Sequence, residues 1–249
     1  FYRDPDEEPF VLTDKVRRSA FTIALTAQGG ARLGATLAID VEKDAGIGGT
    51  WWANRYPGAA CDIPSHLYSF SFAPNSHWSR HYPAQAEIAA YLQNCAEHFG
   101  ITPHLRLGTA VTAARFDEAA LHWVITLRGP EGETTLTTRV IVAATGGLSR
   151  PSVPDLPGLA DFHGRAFHTA RWPQDVNLRG DRVGVIGTGA SAIQIVPAIV
   201  DQVAQLTLFQ RTPPWIVPKS NGAISLDLQN LYARWPALQR LVRGLIYVQ

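Results

Sequence analysis

The sequence contains no methionine and only two cysteines, Cys61 and Cys95. Two cysteines define no disulfide framework, so a reducing, cytoplasmic setting is expected. An excess of one charge is also missing. The 22 Lys and Arg nearly balance the 21 Asp and Glu, and a net charge of +1 leaves no footprint for nucleic acid or an anionic membrane. No apolar run approaches the ~20 residues that span a bilayer. The greasiest tail, 238–248, is interrupted by Arg240 and Arg243. No signal-peptide pattern opens the chain. The metal-site spacings H-E-x-x-H and paired C-x-x-C are absent. His77 and His81 stand four apart, but their loop-like setting around Trp78 reads as a solvated turn, so no metal is expected. The chain opens on Phe1, and with no methionine anywhere it reads as a piece of a longer protein.

At 249 residues with 46% apolar and 17% charged content, there is material for one large or two smaller globular domains. Residues 1–20 are charged and Pro-containing, a loose lead-in. A short strand is expected at 21–26 and a better one at 37–41, ending in Glu42 before a Gly- and Pro-rich stretch. Over 84–99, Ile88, Tyr91, Leu92, Cys95 and Phe99 recur at helical spacing, and Gly100 supplies a stop. Strand-like runs follow at 105–116, 121–128 and 134–144, the last two separated by a turn at 129–132. Pro151, Pro154 and Pro157 suggest a domain boundary near residue 150. Beyond it, a strand at 182–186, a helix at 190–204 bent by Pro197, and a strand at 206–210 compose a βαβ unit. Residues 226–249 look helical, with a break at Pro236.

Gly187-Thr188-Gly189-Ala190-Ser191-Ala192 follows the first strand of that unit and opens its helix. Gly187 permits a tight turn, Gly189 lets the backbone approach a pyrophosphate, and Ala192 stands where a small residue allows helix and strand to pack closely. The helix N-terminus then offers free N–H groups to phosphates. Arg211 lies 24 residues after Gly187, where NAD-binding folds usually place an acid for the ribose hydroxyl. An Arg there, with Thr212 beside it, suits a 2′-phosphate and points to NADP(H). Ser191 is no nucleophile elbow, since the second Gly of G-x-S-x-G is absent.

Glu42 suggests a second nucleotide fold, its carboxylate holding an adenosine ribose. The upstream turn it requires is matched only by Gly29-Gly30-Ala31-Arg32-Leu33-Gly34, where Ala31 replaces the central glycine. Gly29 is 13 residues before Glu42, and the strand at 37–41 takes five of them. A crossover with its helix needs roughly 10–12 residues, so residues 1–36 read as an atypical or damaged segment.

Three further stretches carry a family resemblance. Gly48-Gly49-Thr50-Trp51-Trp52-Ala53-Asn54-Arg55-Tyr56-Pro57-Gly58-Ala59-Ala60-Cys61-Asp62 resembles the G-G-T-W-x-x-N-R-Y-P-G-x-x-x-D segment of Baeyer–Villiger monooxygenases. Phe162, Gly164, His168, Trp172 and Pro173, with Thr169, fit that family's F-x-G-x-x-x-H-x-x-x-W-P signature. Ala143-Ala144-Thr145-Gly146 looks like its A-T-G turn, where the NADP domain is inserted into the FAD domain. The resemblance implies an α/β flavoprotein with two dinucleotide-binding, Rossmann-like domains, here incomplete, with 37–148 as a partial FAD-binding domain and 149–249 as a partial NADP-binding domain. It implies FAD and NADPH as cofactors, and a reaction that inserts one oxygen atom of O2 into a ketone to give an ester or lactone. By position, Glu42 would bind the FAD ribose; Gly49, Thr50, Trp51 and Tyr68 would line the flavin; Val111 would contact the adenine end. Asp62 would be the catalytic carboxylate near the flavin, paired in the family with a downstream Arg that this chain does not contain, so that no cation would stand ready at the developing oxyanion. His168 in that signature reads as a conformational or domain-linking residue rather than an acid–base one. Two alternatives stay open: an N- or S-oxygenating flavin monooxygenase, which usually lacks the Trp-Pro ending, and a non-catalytic NADP-binding remnant. Cys61, with no basic neighbour in sequence, reads as packing.

The expected outcome for the 249-residue chain supplied with FAD, NADPH, O2 and a ketone is no ester above a no-protein control, measured by product chromatography. Removing a single preorganised electrostatic donor already costs about 10²–10³-fold in turnover.

Overall fold

The computed structural model describes residues 39–248. The expected strand at 21–26 and the Gly29–Gly34 turn lie outside them. By contact the chain divides into two compact units, one built from residues up to Trp52 with Ala96–Ser152, the other from Ala53–Cys95 with Val153–Gln249. This grouping differs from the consecutive blocks 37–148 and 149–249, which are defined by the cofactor each would hold.

In the first unit, β1 (Asp40–Val41) pairs in parallel with β2 (Leu105–Arg106). The run expected over 105–116 is broken at Gly108, whose φ of +61° turns the chain away from β1. The Gly108 and Thr109 N–H groups then donate to the carbonyls of Asp44 and Glu42. Hydrophobic alternation is blind to such a turn, because both flanks keep strand spacing. After it, β3 (Ala110–Asp117), β4 (His122–Gly129) and β5 (Gly132–Thr138) form an antiparallel meander. Gly132, at φ +107°, closes the expected turn at 129–132. Inward residues Val111, Ala114, Ile125 and Leu127 pack with Val41 into one core.

The strand expected over 134–144 stops at Thr138. The Thr138 side chain bonds the Val140 carbonyl at 3.0 Å, a local turn that competes with extending the ladder. Among the described residues no strand pairs with 140–144, and Val140 is exposed.

The helix expected at 84–99 is α2 (Gln85–His98), shared between the units. Ile88, Tyr91 and Cys95 are buried at helical spacing. Its end is a Schellman motif: Gly100, at φ +65°, donates to Glu97, and Ile101 donates to Ala96. In the second unit, Tyr91 lies beside fully buried Trp78, and its hydroxyl accepts from Phe70 N–H at 2.7 Å and donates to Ala73 O at 2.8 Å.

The βαβ unit is present as read: β6 (Arg182–Ile186) and β7 (Gln205–Phe209) pair in parallel, joined by α3 (Ala190–Ile199). The helix ends five residues before the expected Ala204. Pro197 removes one backbone donor in the last turn, and Asp201 just beyond opposes the negative end of the helix dipole. Toward the C-terminus, α4 (Leu226–Arg234) is capped by the Ser225 hydroxyl, and Pro236 opens α5 (Pro236–Val248). No helix among the described residues is long and apolar enough to cross a membrane.

One glycine is indispensable to the second unit. Gly58 adopts φ +80°, and a Cβ there would stand 2.5 Å from the backbone carbonyl oxygen of Gln194 on α3. Gly49, at φ +52°, has open space around its missing Cβ. Gly58→Ala is expected to lose about 3 kcal/mol of unfolding free energy, and Gly49→Ala only the left-handed backbone penalty of about 1 kcal/mol. Urea unfolding of the two variants checks the difference.

Candidate functional site

The dinucleotide turn lies at the C-terminal end of the parallel pair, where α/β sheets bind ligands. Gly187 reaches φ +102°, donates to the Phe209 carbonyl at 2.9 Å and faces open space where a Cβ would be. Gly189 is the N-cap of α3 and gives it no side-chain cap. The first turn of α3 is therefore left without a side-chain acceptor from its cap, as an anion-binding terminus requires. Ala192 is buried and Ser191 half-buried, consistent with close helix–strand packing. The Thr188 hydroxyl lies 3.4 Å from the Thr212 carbonyl and 3.5 Å from the Gln210 amide. These contacts bring Arg211 and Thr212 beside the glycine turn, with Arg211 exposed. A glycine cradle, an uncapped helix N-terminus and a free guanidinium together fit a phosphorylated dinucleotide.

The 162–173 segment owes its residue types to local geometry. A Cβ on Gly164 would lie 2.5 Å from the Phe162 ring, so glycine alone lets the ring fold over the backbone. His168 Nδ1 accepts from Ala170 N–H at 3.1 Å and caps the short 3₁₀ turn Thr169–Arg171. Its ring acts as a structural acceptor, in keeping with the conformational reading. The turn delivers Trp172 onto the cluster of Tyr56, Ala59, Ile195 and Ile199, with Phe167 edge-on at 5.2 Å.

The other candidates sort between the units. In the first, Glu42 follows β1 and is buried, and its Oε1 accepts from Asp44 N–H at 3.0 Å. Burial pushes its carboxyl above the usual range. Thr50 and Trp51 open the short α1 (Thr50–Ala53) behind Gly49, and the Trp52 ring covers Gly46, where a Cβ would overlap it. The Val111 side chain is committed to the core, so any contact with a ligand falls to its backbone. Gly146 adopts φ +68° in an irregular segment. In the second unit, Tyr68 sits on the turn after Pro64, its N–H bonded to the Pro64 and Ser65 carbonyls. Cys61 is buried with its thiol pushed up by desolvation, which is the chemistry of packing rather than of a nucleophile.

The profile of the flavin-binding monooxygenase-like family matches residues 61–227. The chain belongs to this family. Its Baeyer–Villiger resemblance is shown by a Baeyer–Villiger monooxygenase of Streptomyces coelicolor, 52% identical over 217 residues, which are 87% of this chain and 41% of the relative. A cyclohexanone monooxygenase from Rhodococcus sp. Phi1 bound to NADP+ superposes with a TM-score of 0.73 at 40% identity, over 79% of this chain and 37% of that one. The OTEMO complex with FAD and NADP gives 0.71 at 36% identity, over 79% and 39%. The chain spans about two-fifths of the length of these relatives.

For a flavin-binding monooxygenase-like chain, two residues stand out that sequence reasoning passed over. Lys219 Nζ lies 2.9 Å from Asp62 Oδ1 and 3.3 Å from the Cys61 carbonyl, over the Tyr82 ring at 4.6 Å. Asp62 thus has a cation partner other than the downstream Arg of the resemblance. The partner comes from 157 residues away, a separation that no local pattern reports. Gln194, two residues past the glycine motif, bonds the Tyr56 hydroxyl and both backbone groups of Ala60. The only sequence signal was a polar residue on an otherwise apolar helix.

The raised Glu42 carboxyl has a thermodynamic consequence. The folded chain holds its proton more tightly than the unfolded one, so ionisation works against folding. The penalty is absent below the ordinary carboxylate range and grows as pH rises through it. Glu42→Gln keeps an acceptor for Asp44 N–H and removes the charge. Its thermal midpoint is expected to exceed wild type at about pH 7.5 and to converge with it below about pH 4, as scanning calorimetry at the two pH values can show.

Proposed function

We propose that this protein is a flavin- and NADPH-dependent monooxygenase of the Baeyer–Villiger type, inserting one oxygen atom of O2 into a small-molecule ketone to give an ester or lactone. One observation carries the reading: Trp172, from the 162–173 signature, packs against the cluster that Ile195 and Ile199, on the helix that opens with the dinucleotide turn, form with Tyr56 and Ala59. The family signature and the nucleotide motif are therefore one packed object. The Trp172-Pro173 ending favours ketone oxidation over N- or S-oxygenation.

In this reading, residues 149–249 are the NADP-binding part and 37–148 part of the FAD-binding domain. Gly187, Thr188, Gly189 and Ser191 receive the pyrophosphate of NADPH, Ala192 lets their helix pack closely on its strand, and Arg211 with Thr212 holds the 2′-phosphate. Glu42 accepts from the FAD ribose, Gly49, Thr50, Trp51 and Tyr68 line the flavin, and Val111 and Gly146 meet the cofactor through backbone. FAD, reduced by NADPH, supplies the chemistry that activates O2. Asp62, with Lys219 beside it, provides a charged pair whose part is to orient polar groups near the reacting carbonyl. Two unpaired cysteines support a reducing cytoplasm as the setting.

NADPH should bind more tightly than NADH. Arg211→Ala is expected to weaken NADPH about ten- to a hundred-fold, the worth of a charge-assisted phosphate contact, and to leave NADH nearly unchanged. Tryptophan-fluorescence titration of both nucleotides is the test. Equal affinities that Arg211→Ala does not alter would sink the reading.

A further inference from the structure

Gln194 lies on α3 one turn beyond the phosphate-facing N-terminus, and its side chain points at the segment leading to Asp62. The amide is used at both ends. Its oxygen accepts from the Tyr56 hydroxyl at 2.9 Å and from Ala60 N–H at 3.3 Å, and its nitrogen donates to Ala60 O at 2.9 Å. Pairing with both backbone groups of one residue mimics a rung of a β-ladder and sets the register of the partner chain. The surroundings enforce the contact. Gly58 lies against the Gln194 carbonyl with no room for a Cβ, and Tyr56 and Ala59 are buried on Ile195 and Ile199. Immediately beyond the clasp, Cys61 N–H is held by Pro83 O at 2.9 Å, and Asp62 meets Lys219.

We propose that Gln194 is a positioning residue that registers segment 56–62, and with it Asp62, on the dinucleotide-binding helix. The roles of that helix and of Asp62 rest on the function proposed above; the clasp itself does not. A polar side chain at this position replaces the apolar residue that helix packing alone would favour. It ties the placement of one carboxylate to the element that would carry the nucleotide phosphates.

The test is residue-resolved amide hydrogen exchange on the 249-residue chain. Gln194→Leu, close in volume and without hydrogen bonds, is expected to speed exchange at Ala60 about tenfold or more, and at Cys61 by a smaller factor. The β6–β7 amides, in the same unit as the clasp and outside it, should not change and report that this unit of the variant is folded. Gln194→Glu separates hydrogen bonding from packing. Its ionised carboxylate can accept but not donate and repels the Ala60 carbonyl, so protection is lost at neutral pH. As pH falls through the carboxylate range the regained proton donates to Ala60 O, and protection returns after correction for intrinsic exchange. Wild type followed over the same range subtracts titration of Asp62 and other groups. A filler role would give no such return. Tyr56→Phe, removing one hydroxyl, should speed Ala60 exchange about two- to tenfold and serves if Gln194→Leu does not fold.

Unchanged Ala60 exchange in Gln194→Leu, or in Tyr56→Phe where that variant stands in, or a pH-independent Gln194→Glu, would overturn the proposal. NADPH titration of the wild type keeps the two readings apart. Binding together with an unchanged Gln194→Leu removes the clasp and leaves the function standing. No binding together with fast Ala60 exchange in Gln194→Leu removes the dinucleotide reading and leaves the clasp.

Discussion

The second unit depends on a side chain that is not there. At Gly58 the backbone turns left-handed and comes so close to α3 that a Cβ would meet the Gln194 carbonyl at 2.5 Å. That approach lets Tyr56 and Ala59 share a buried cluster with Ile195 and Ile199, and Trp172 packs against the same cluster. Two segments that sequence analysis marks separately, 48–62 and 162–173, thus converge on one helix. Close packing of this kind tolerates little change in volume, because interiors are filled to crystal-like density. The helix so buried is also the one whose first turn, in the proposed function, receives phosphates.

Many polar groups in the structure follow a consistent division. Several that are buried or half-buried within a unit are tied to backbone: Gln239 to the Asn75 carbonyl, Ser65 to the Arg80 carbonyl, and Gln194 to Ala60, whereas the buried Asp40 Oδ1 and Trp78 Nε1 have no hydrogen-bond partner among the described residues. Such pairing is the rule wherever water is excluded. The groups assigned to ligands are instead open or exposed, namely the uncapped start of α3, Arg211 and the Asp62–Lys219 pair. Glu42 is the exception: buried and raised in pKa, it opposes folding when ionised. A carboxylate retained at such a penalty is more readily explained by a ligand than by stability.

Arg243 and Gln239 show the same logic at the end of the chain. Helix α5 turns two of its polar residues inward, Arg243 bonding the carbonyls of His66 and Ser69 at 2.8 and 2.9 Å and Gln239 the ring of His66 at 3.2 Å. Burial lowers the His66 pKa and favours the neutral ring that these contacts hold. Leu241 and Leu245 stay exposed on α5. Amphipathic spacing alone would have put the leucines inside, and satisfaction of loop carbonyls overrides it.

What could be read without coordinates was local chemistry. Gly187, at φ +102° between an apolar strand and a helix, marks the turn read as phosphate-binding, because few other residues permit that backbone path, and Gly189 leaves the start of α3 without a side-chain cap. Gly100 ends α2 and Gly132 turns a hairpin for the same reason of sign in φ. The residues around Asp62 and Trp172 were legible as motifs, without the reason for their spacing. Tertiary structure supplied that reason, along with the break at Gly108, the stop at Thr138, the Lys219 partner of Asp62 and the Gln194 clasp. Apart from the local turn at Thr138, each of these depends on a partner far away in sequence. A linear pattern records which conformations a residue permits; it does not record what stands opposite when the chain closes on itself.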